Sequence, residues 1–575
     1  MTVWSRIAAY LVKLPPPRTT AVSVERGLTA KMPDGVELLA DRWYPTQQAQ
    51  QTQQTQQTPA GGPPTVLIRT PYGRTIMGPL GRLYAERGYQ VVVQSCRGTF
   101  GSGGAFVPVR NEQVDGKATL DWVAAQPWFD GRLVMWGGSY LGMTQWAVAE
   151  DAPDFLLALS LQVTAANFRD SVVFPGGAFA LETGLAWLHQ IKNQELGWRA
   201  VLRTHLRGGR VVANSSEVLP VGKCDSAAIG EPMAFYQEWL EHSTPGDEWW
   251  DAVDFGRRLD HVPPASFIGG WYDLFLKAQV DDYEALRRAG RPARLTVGPW
   301  THGSPGLFAE TVRDGPRWFD SQLGPERTER QDAPVRVFVM GSRTWQEFSM
   351  WPPAGRTEQW YLGRGGTLAQ APPHDDSPPD RYHYNPNDPT PSVGGPSLNA
   401  TTAGRKEQSR RERRRDVVAY TSPPLTDDLT VIGPLTATLY VRSSLEHTDF
   451  FVRLCDVTEK GKSFNLSDGI VRLTPGSVER SEDAVAKLDI RLWPTANTFR
   501  AGHRIRLQVS SGAHPLFNRN AGTGEPLATG ANLRSADQEI FHDAGRPSSV
   551  ALHVVPLLQG GALGEHGMGS PDPLG

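Results

Sequence analysis

The segment Leu133-Val134-Met135-Trp136-Gly137-Gly138-Ser139-Tyr140-Leu141-Gly142 restricts the fold more than any other part of the chain. A short apolar run is broken by two glycines and a serine, and residues 143–150 then read as helix, rich in Ala, Trp, Gln and Val. A serine pinned between a strand and a helix sits on a tight, strained turn with its hydroxyl projecting from the sheet. The backbone N–H of Tyr140 then points at the place where an oxyanion would form. Small neighbours are needed because strand and helix approach closely and the local dihedrals suit glycine. These are the requirements of a nucleophilic serine, although a glycine-rich strand-to-helix turn without chemistry looks the same. The pattern also departs from G-x-S-x-G: Leu141 stands two residues after the serine and the glycine arrives at Gly142.

The surrounding sequence supplies the sheet that such a turn needs. Residues 22–44 alternate around Pro33-Asp34-Gly35, a hairpin signal. Short β-rich runs at 66–68, 90–94 and 133–136 are separated by helical patterns at 77–87 and 114–125, which implies a mostly parallel α/β sheet with helices on both faces. Functional groups in such sheets lie at the carboxyl ends of strands. The Gln/Thr tract ending in Gly-Gly-Pro-Pro, residues 47–64, has nothing to bury and is expected to be a disordered insertion. Between 167 and 254 the strand rhythm stops; helical, aromatic patterns at 179–191, 197–206 and 233–242 suggest a cap over a pocket. Strand signals return at 265–269 and 294–298. From 331 to 556 nearly helix-free alternation argues for an antiparallel β-sandwich, and 557–575 is expected to be a disordered tail. At 575 residues the chain is too long for one core. The expected parts are a first sheet segment at 22–166, a cap at 167–254, a second sheet segment at 255–330 and the β domain. The segment 405–415 holds seven Arg or Lys and two Glu; a solvated loop or edge strand is the preferred reading over an anionic contact site.

Net charge −3 offers no electrostatic case for nucleic acid as partner. Cys96, Cys224 and Cys455 are far apart and match no metal-ligand spacing. The apolar stretch 7–14 is interrupted by Lys13 and followed by three prolines. It is too short to span a membrane and has no cleavage site, which leaves the cytoplasm as the expected location.

A serine hydroxyl is a poor nucleophile until a base takes its proton, and the base needs a carboxylate to fix its tautomer. In the α/β-hydrolase order the carboxylate follows the serine and the histidine comes last. Of 13 histidines, His302 lies in Leu295-Thr296-Val297-Gly298-Pro299-Trp300-Thr301-His302-Gly303, on a Gly/Pro-shaped loop beyond a strand. His261 precedes a strand, and His189, His205 and His242 fall on cap helices. Phe267-Ile268-Gly269-Gly270-Trp271-Tyr272-Asp273 gives strand, turn and carboxylate. Asp260 precedes that strand, and Asp281 and Asp282 read as solvated helix-face residues. The strand at 66–68 runs into Arg69-Thr70-Pro71-Tyr72-Gly73-Arg74, which places the Tyr72 phenol at a strand end, where it could reach the same pocket as a second oxyanion donor beside the Tyr140 amide.

Together, Arg-Thr-Pro-Tyr72-Gly, Gly-Gly-Ser139-Tyr140-Leu-Gly, Gly-Trp-Tyr-Asp273 and Gly-Pro-Trp-Thr-His302 resemble the CocE/NonD hydrolases, whose members act on esters, β-lactam acyl groups and X-Pro peptides. The displaced Gly142 is that family's own form, and the resemblance spans roughly residues 25–555. It implies an α/β-hydrolase domain with a helical cap insertion and a C-terminal all-β jelly-roll. It further implies Ser139 as nucleophile, His302 as acid/base, Asp273 as its orienter, and Tyr72 with the Tyr140 N–H as oxyanion hole. No metal or organic cofactor is needed. Two departures stand out. Members often carry Asp where this chain has Ser95. The cap carboxylates that hold an ammonium group in amino-ester hydrolases cannot be assigned among Glu182, Glu195, Glu231, Asp247 and Glu248. The expected activity is cleavage of a small-molecule ester or amide through an acyl-enzyme. The alternatives are an X-Pro dipeptidyl-peptidase, a β-lactam acylase, and a non-enzymatic jelly-roll binding protein with an inactive hydrolase domain. Members are often homodimers, and no motif here carries that expectation.

Overall fold

The computed structural model describes residues 3–46, 62–323, 333–399 and 401–556. Most of the tract expected to be disordered at 47–64, and all of the tail at 557–575, lie outside the described residues. The end of that tract is ordered: the Gly62 carbonyl accepts from Arg132 at 2.9 Å and the Pro64 carbonyl from the Gln90 amide at 3.0 Å.

A short helix α1 (Val3–Leu11) precedes the hairpin β1 (Val22–Lys31) and β2 (Glu37–Pro45). Then follow β3 (Thr65–Thr70), α2 (Arg74–Ala85), β4 (Gln90–Ser95), α3 (Glu112–Ala124), β5 (Leu133–Gly138), α4 (Tyr140–Ala149) and β6 (Leu156–Gln162). The cap comes next, with helices α5 (Leu181–Asn193), α6 (Trp198–Ser215), α7 (Cys224–Ile229) and α8 (Ala234–Glu241). The chain returns to the sheet through β7 (Ala265–Tyr272), α9 (Leu276–Arg288), β8 (Ala293–Thr301), α10 (Pro305–Leu323), β9 (Val335–Val339) and β10 (Thr344–Phe348). No helix among the described residues is long and apolar enough to cross a membrane.

The first sheet runs β1-β2-β4-β3-β5-β6-β7-β8-β9-β10. From β4 through β9 every neighbouring pair is parallel. Its central strands are buried on both faces, which is why β3 and β4 contain hardly any exposed position. Because these strands run the same way, Tyr72, Ser139, Asp273 and His302, each one or two residues beyond β3, β5, β7 and β8, share one edge of the sheet.

The linear boundary at 331 does not coincide with the sheets. β9 and β10 fall inside the expected C-terminal span, yet β9 pairs in parallel with β8 from Leu295↔Val335 to Val297↔Val337. The alternating burial of β9 is that of the half-covered end of a sheet, a pattern that cannot say which sheet a strand joins. Among the described residues the second sheet comprises twelve strands, β11 (Arg356–Gly363) through β22 (Ser549–Val554), built around the long β15 (Leu429–Ser443) and the wholly buried β16 (Thr448–Val457). Apolar residues of the parallel sheet, the cap and the β domain form one continuous core.

The basic segment is solvated only in part: Arg410, Arg413 and Arg415 are exposed, but its middle is packed inside. Arg411, on the short helix α11 (Ser409–Glu412), is 2% exposed and donates to the Pro391 carbonyl, Gln508 and Ser510. Glu412 pairs with Arg506, and Arg414 with Asp416 at 2.8 Å. Burial pushes the Arg411 guanidinium down to about 9. Charge counting missed this because a guanidinium whose five N–H groups are met by carbonyls and hydroxyls can be packed inside.

Candidate active site

Ser139 caps α4 with φ +57° and ψ −127°, a backbone conformation that is costly for a residue with a side chain and is kept only where its surroundings impose it. Those surroundings are tight. The Ser139 amide donates to the Gln162 carbonyl at 2.9 Å, and its own carbonyl accepts from Gly142 at 2.9 Å and Met143 at 3.2 Å. A Cβ on Gly142 would stand 2.4 Å from Thr164 Cγ2, so the glycine is required where α4 crosses the chain leaving β6. Leu141, by contrast, is buried in the apolar layer on the opposite side of the sheet. The departure from G-x-S-x-G therefore has a packing cause. Tyr140 opens α4, so its amide lies in the first turn, where the helix offers no acceptor.

His302 follows β8 directly and its Nδ1 lies 2.6 Å from Asp273 Oδ2; Asp273, directly after β7, is fully buried. The other carboxylate oxygen accepts the Phe275 amide at 2.8 Å, which fixes the carboxylate plane. The Phe275 ring flanks the imidazole at 5.7 Å. An imidazole held through Nδ1 by a buried carboxylate presents Nε2 as a base. The Tyr72 hydroxyl accepts the indole N–H of Trp187 at 3.1 Å, and Tyr72 lines the same cavity as Ser139; burial pushes its phenol up to about 12. The Tyr72 amide donates to Thr70 Oγ1 at 3.0 Å. All five residues selected from sequence thus lie at one sheet edge, with Ser139, Tyr72 and Tyr140 lining one cavity of about 480 Å3, its open mouth included.

The rest of the cavity wall is apolar apart from Thr183. Phe168, Val172 and Phe179 come from the cap approach, Trp187 and Trp239 from α5 and α8, and Leu398 from the β domain. None of the five cap carboxylates lines it. Glu182 is taken up by Ser397 and Thr402, Glu195 by the Phe100 amide, Glu231 by Lys192, and Asp247 by His242 and the Trp249 amide; Glu248 is likewise absent from the lining.

Sequence reasoning missed the support beneath the serine. Arg69 is fully buried and lies 2.7 Å from Glu112, whose other oxygen accepts the Tyr140 hydroxyl at 2.8 Å; that hydroxyl in turn accepts the Val109 amide. The signal was present in Arg69, a charged residue inside an otherwise apolar strand. At the position of the second departure, Ser95 is engaged by an arginine. Arg74 donates to Ser95 Oγ at 2.7 Å and lies 3.3 Å from the buried carboxylate of Asp41 on β2. Asp282 is not a solvated face residue: it accepts the Ala166 amide at 2.8 Å, and burial pushes it up to about 8. Among the described residues no group of three or more His, Cys, Asp or Glu is placed to hold a metal ion.

A serine on a strained strand-to-helix turn, a carboxylate-held histidine and an apolar cavity define an α/β-hydrolase of the serine type. Comparison with known proteins is specific. The family model for X-Pro dipeptidyl-peptidase (S15 family) matches residues 34–304, and that for the X-Pro dipeptidyl-peptidase C-terminal non-catalytic domain matches 328–551. Cocaine esterase of Rhodococcus sp. (strain MB1 Bresler) is 31% identical, over 93% of this chain and 99% of its own. Among solved structures, an α-amino acid ester hydrolase superposes with TM-score 0.77 at 22% identity, covering 93% of this chain and 97% of that one. An aminopeptidase from a marine sediment Thaumarchaeota archaeon gives 0.75 at 22% identity, covering 93% and 96%. The chain belongs to the CocE/NonD hydrolase family.

Proposed function

We propose that the protein is a serine hydrolase that cleaves carboxylic esters with a neutral, apolar acyl group through an acyl-enzyme. Ser139 Oγ attacks the carbonyl while His302 takes its proton. The Tyr72 hydroxyl and the Tyr140 N–H hold the oxyanion, and Asp273 keeps the imidazole in its productive tautomer. His302 then gives the proton to the leaving alkoxide, and water attacks the acyl-enzyme by the same route. The observation that carries the reading is the juxtaposition of the strained Ser139 and of Tyr72 with a largely aromatic and aliphatic cavity wall that, among the described residues, contains no carboxylate.

The X-Pro dipeptidyl-peptidase reading draws on the name of the matching family model. It needs an acid to take an N-terminal amine, and among the described lining residues there is none. A panel of p-nitrophenyl esters run beside an X-Pro anilide separates the two. Turnover of apolar acyl esters and none of the anilide is expected; the reverse overturns the proposal. Labelling at Ser139 by a fluorophosphonate would exclude a binding protein with an inactive hydrolase domain. A cytoplasmic location belongs to the same proposal, supported by three buried free thiols. The homodimer implied by the family is checked by light scattering.

A further inference from the structure

Helix α5 does more than roof the cavity. Its Trp187 donates an indole N–H to the Tyr72 hydroxyl at 3.1 Å, and Gln194, at its C-terminal end, donates to the Pro71 carbonyl at 2.9 Å. The residue assigned above to the oxyanion hole is therefore held by the cap twice, through its phenol and through the peptide before it.

An indole N–H can only donate, whereas a phenol has one proton and two lone pairs. With Trp187 on one lone pair and no acceptor for the Tyr72 proton on the cap side among the described residues, that proton is left to point into the cavity that Ser139 lines, where the oxyanion would form. A phenol that accepts a hydrogen bond also becomes the stronger donor. The aim of the indole is fixed by its packing. Trp187 stacks on Trp239 at 6.0 Å and 6° and on Tyr140 at 6.0 Å and 24°, with Phe106 at 6.2 Å and Phe235 at 5.4 Å. A donor clamped on several sides needs no reorganisation as charge develops, the condition for strong electrostatic stabilisation.

We infer that Trp187 is a positioning residue for catalysis: its N–H orients and polarises the Tyr72 hydroxyl, so that the oxyanion hole is complete only when α5 is docked. This inference rests on the proposed role of Tyr72. The test is a double-mutant cycle on the intact chain, read as the acylation rate in the p-nitrophenol burst with an apolar acyl ester. Trp187→Phe keeps the ring stack and removes the N–H; the acylation rate should fall about fivefold to twentyfold, with KM within about twofold. In the Tyr72→Phe background the same change should move the rate less than about twofold, because the acceptor has gone. Equal losses in both backgrounds, or an effect on KM alone, would reduce Trp187 to a wall residue and overturn the inference. A Tyr72→Phe enzyme with an undiminished rate would instead remove the role of Tyr72, a distinct outcome that takes the inference with it. Should Trp187→Phe fold poorly, replacement of Trp187 by β-(3-benzothienyl)alanine keeps the shape and lacks the N–H, and the same cycle applies.

Discussion

Two buried glutamates flank the cavity and are solved in opposite ways. Glu112, beneath the Ser139 turn, is 3% exposed and is met by the guanidinium of Arg69 and the hydroxyl of Tyr140. Glu182, on the first turn of α5, is 4% exposed and is met by Ser397 at 2.8 Å and Thr402 at 3.1 Å. The first belongs to a compact ionic floor, with partners 43 and 28 residues away. The second is a neutral-partner latch joining the cap to the β domain across 215 and 220 residues. An ion pair inside a domain is rigid and costly to break, because either partner left alone is an uncompensated charge. Hydroxyls satisfy a carboxylate at lower stakes, and the Glu182 latch holds the loop that carries Leu398 into the cavity wall. Floor and wall thus divide the labour between where the acyl carbon reacts and which acyl group fits.

The largest expected effect tests the floor's purpose. Ser139→Ala should lower kcat by roughly 10⁴-fold or more and abolish fluorophosphonate labelling with the melting curve nearly unchanged. Full labelling of the variant would place the nucleophile elsewhere. Next in size, Arg69→Met leaves Glu112 buried without its cation and should cost about 3–5 kcal/mol in urea unfolding. A loss under about 1 kcal/mol would erase the distinction between the two glutamates. Tyr72→Phe should reduce kcat about 10²- to 10³-fold with KM little changed. Since burial pushes the Tyr72 phenol up to about 12, its ionisation should leave kcat flat at least to about pH 10.

What was legible in the sequence follows the same division. Ser139, Asp273, His302 and Tyr72 each end a strand inside a motif of a few residues, and a parallel sheet necessarily brings its strand ends to one edge. The wall is assembled from Phe168, Trp187, Trp239 and Leu398, far apart in the chain, and no local periodicity relates them. Arg69 and Arg411 escaped for a related reason. A charged residue reads as solvated until the distant partners that satisfy it are known, and those of Arg411 lie up to 101 residues away. The strand β9 was recognisable as a strand but not as a member of the first sheet, because pairing partners are a property of topology.

The smallest effect isolates the latch and fixes its sign. Burial raises the Glu182 carboxyl above the ordinary glutamate range, partly offset by hydrogen bonds from Ser397, Thr402 and Asn399. A group whose folded pKa exceeds its unfolded value, about 4.3 for glutamate, contributes stability that is complete below the unfolded value and lost as pH rises through the folded one. Glutamine keeps one of the two oxygens that Ser397 and Thr402 use, turns the other into an N–H donor that a rotated hydroxyl can accept, and carries no charge to desolvate. Glu182→Gln should therefore melt close to the parent at pH 4 and a few degrees above it at pH 8, with kcat preserved within about threefold because the floor is untouched. A melting difference of the same size at both pH values would mean that the carboxylate is compensated in the fold as fully as Glu112 is, and the contrast between floor and wall would then rest on sequence distance alone.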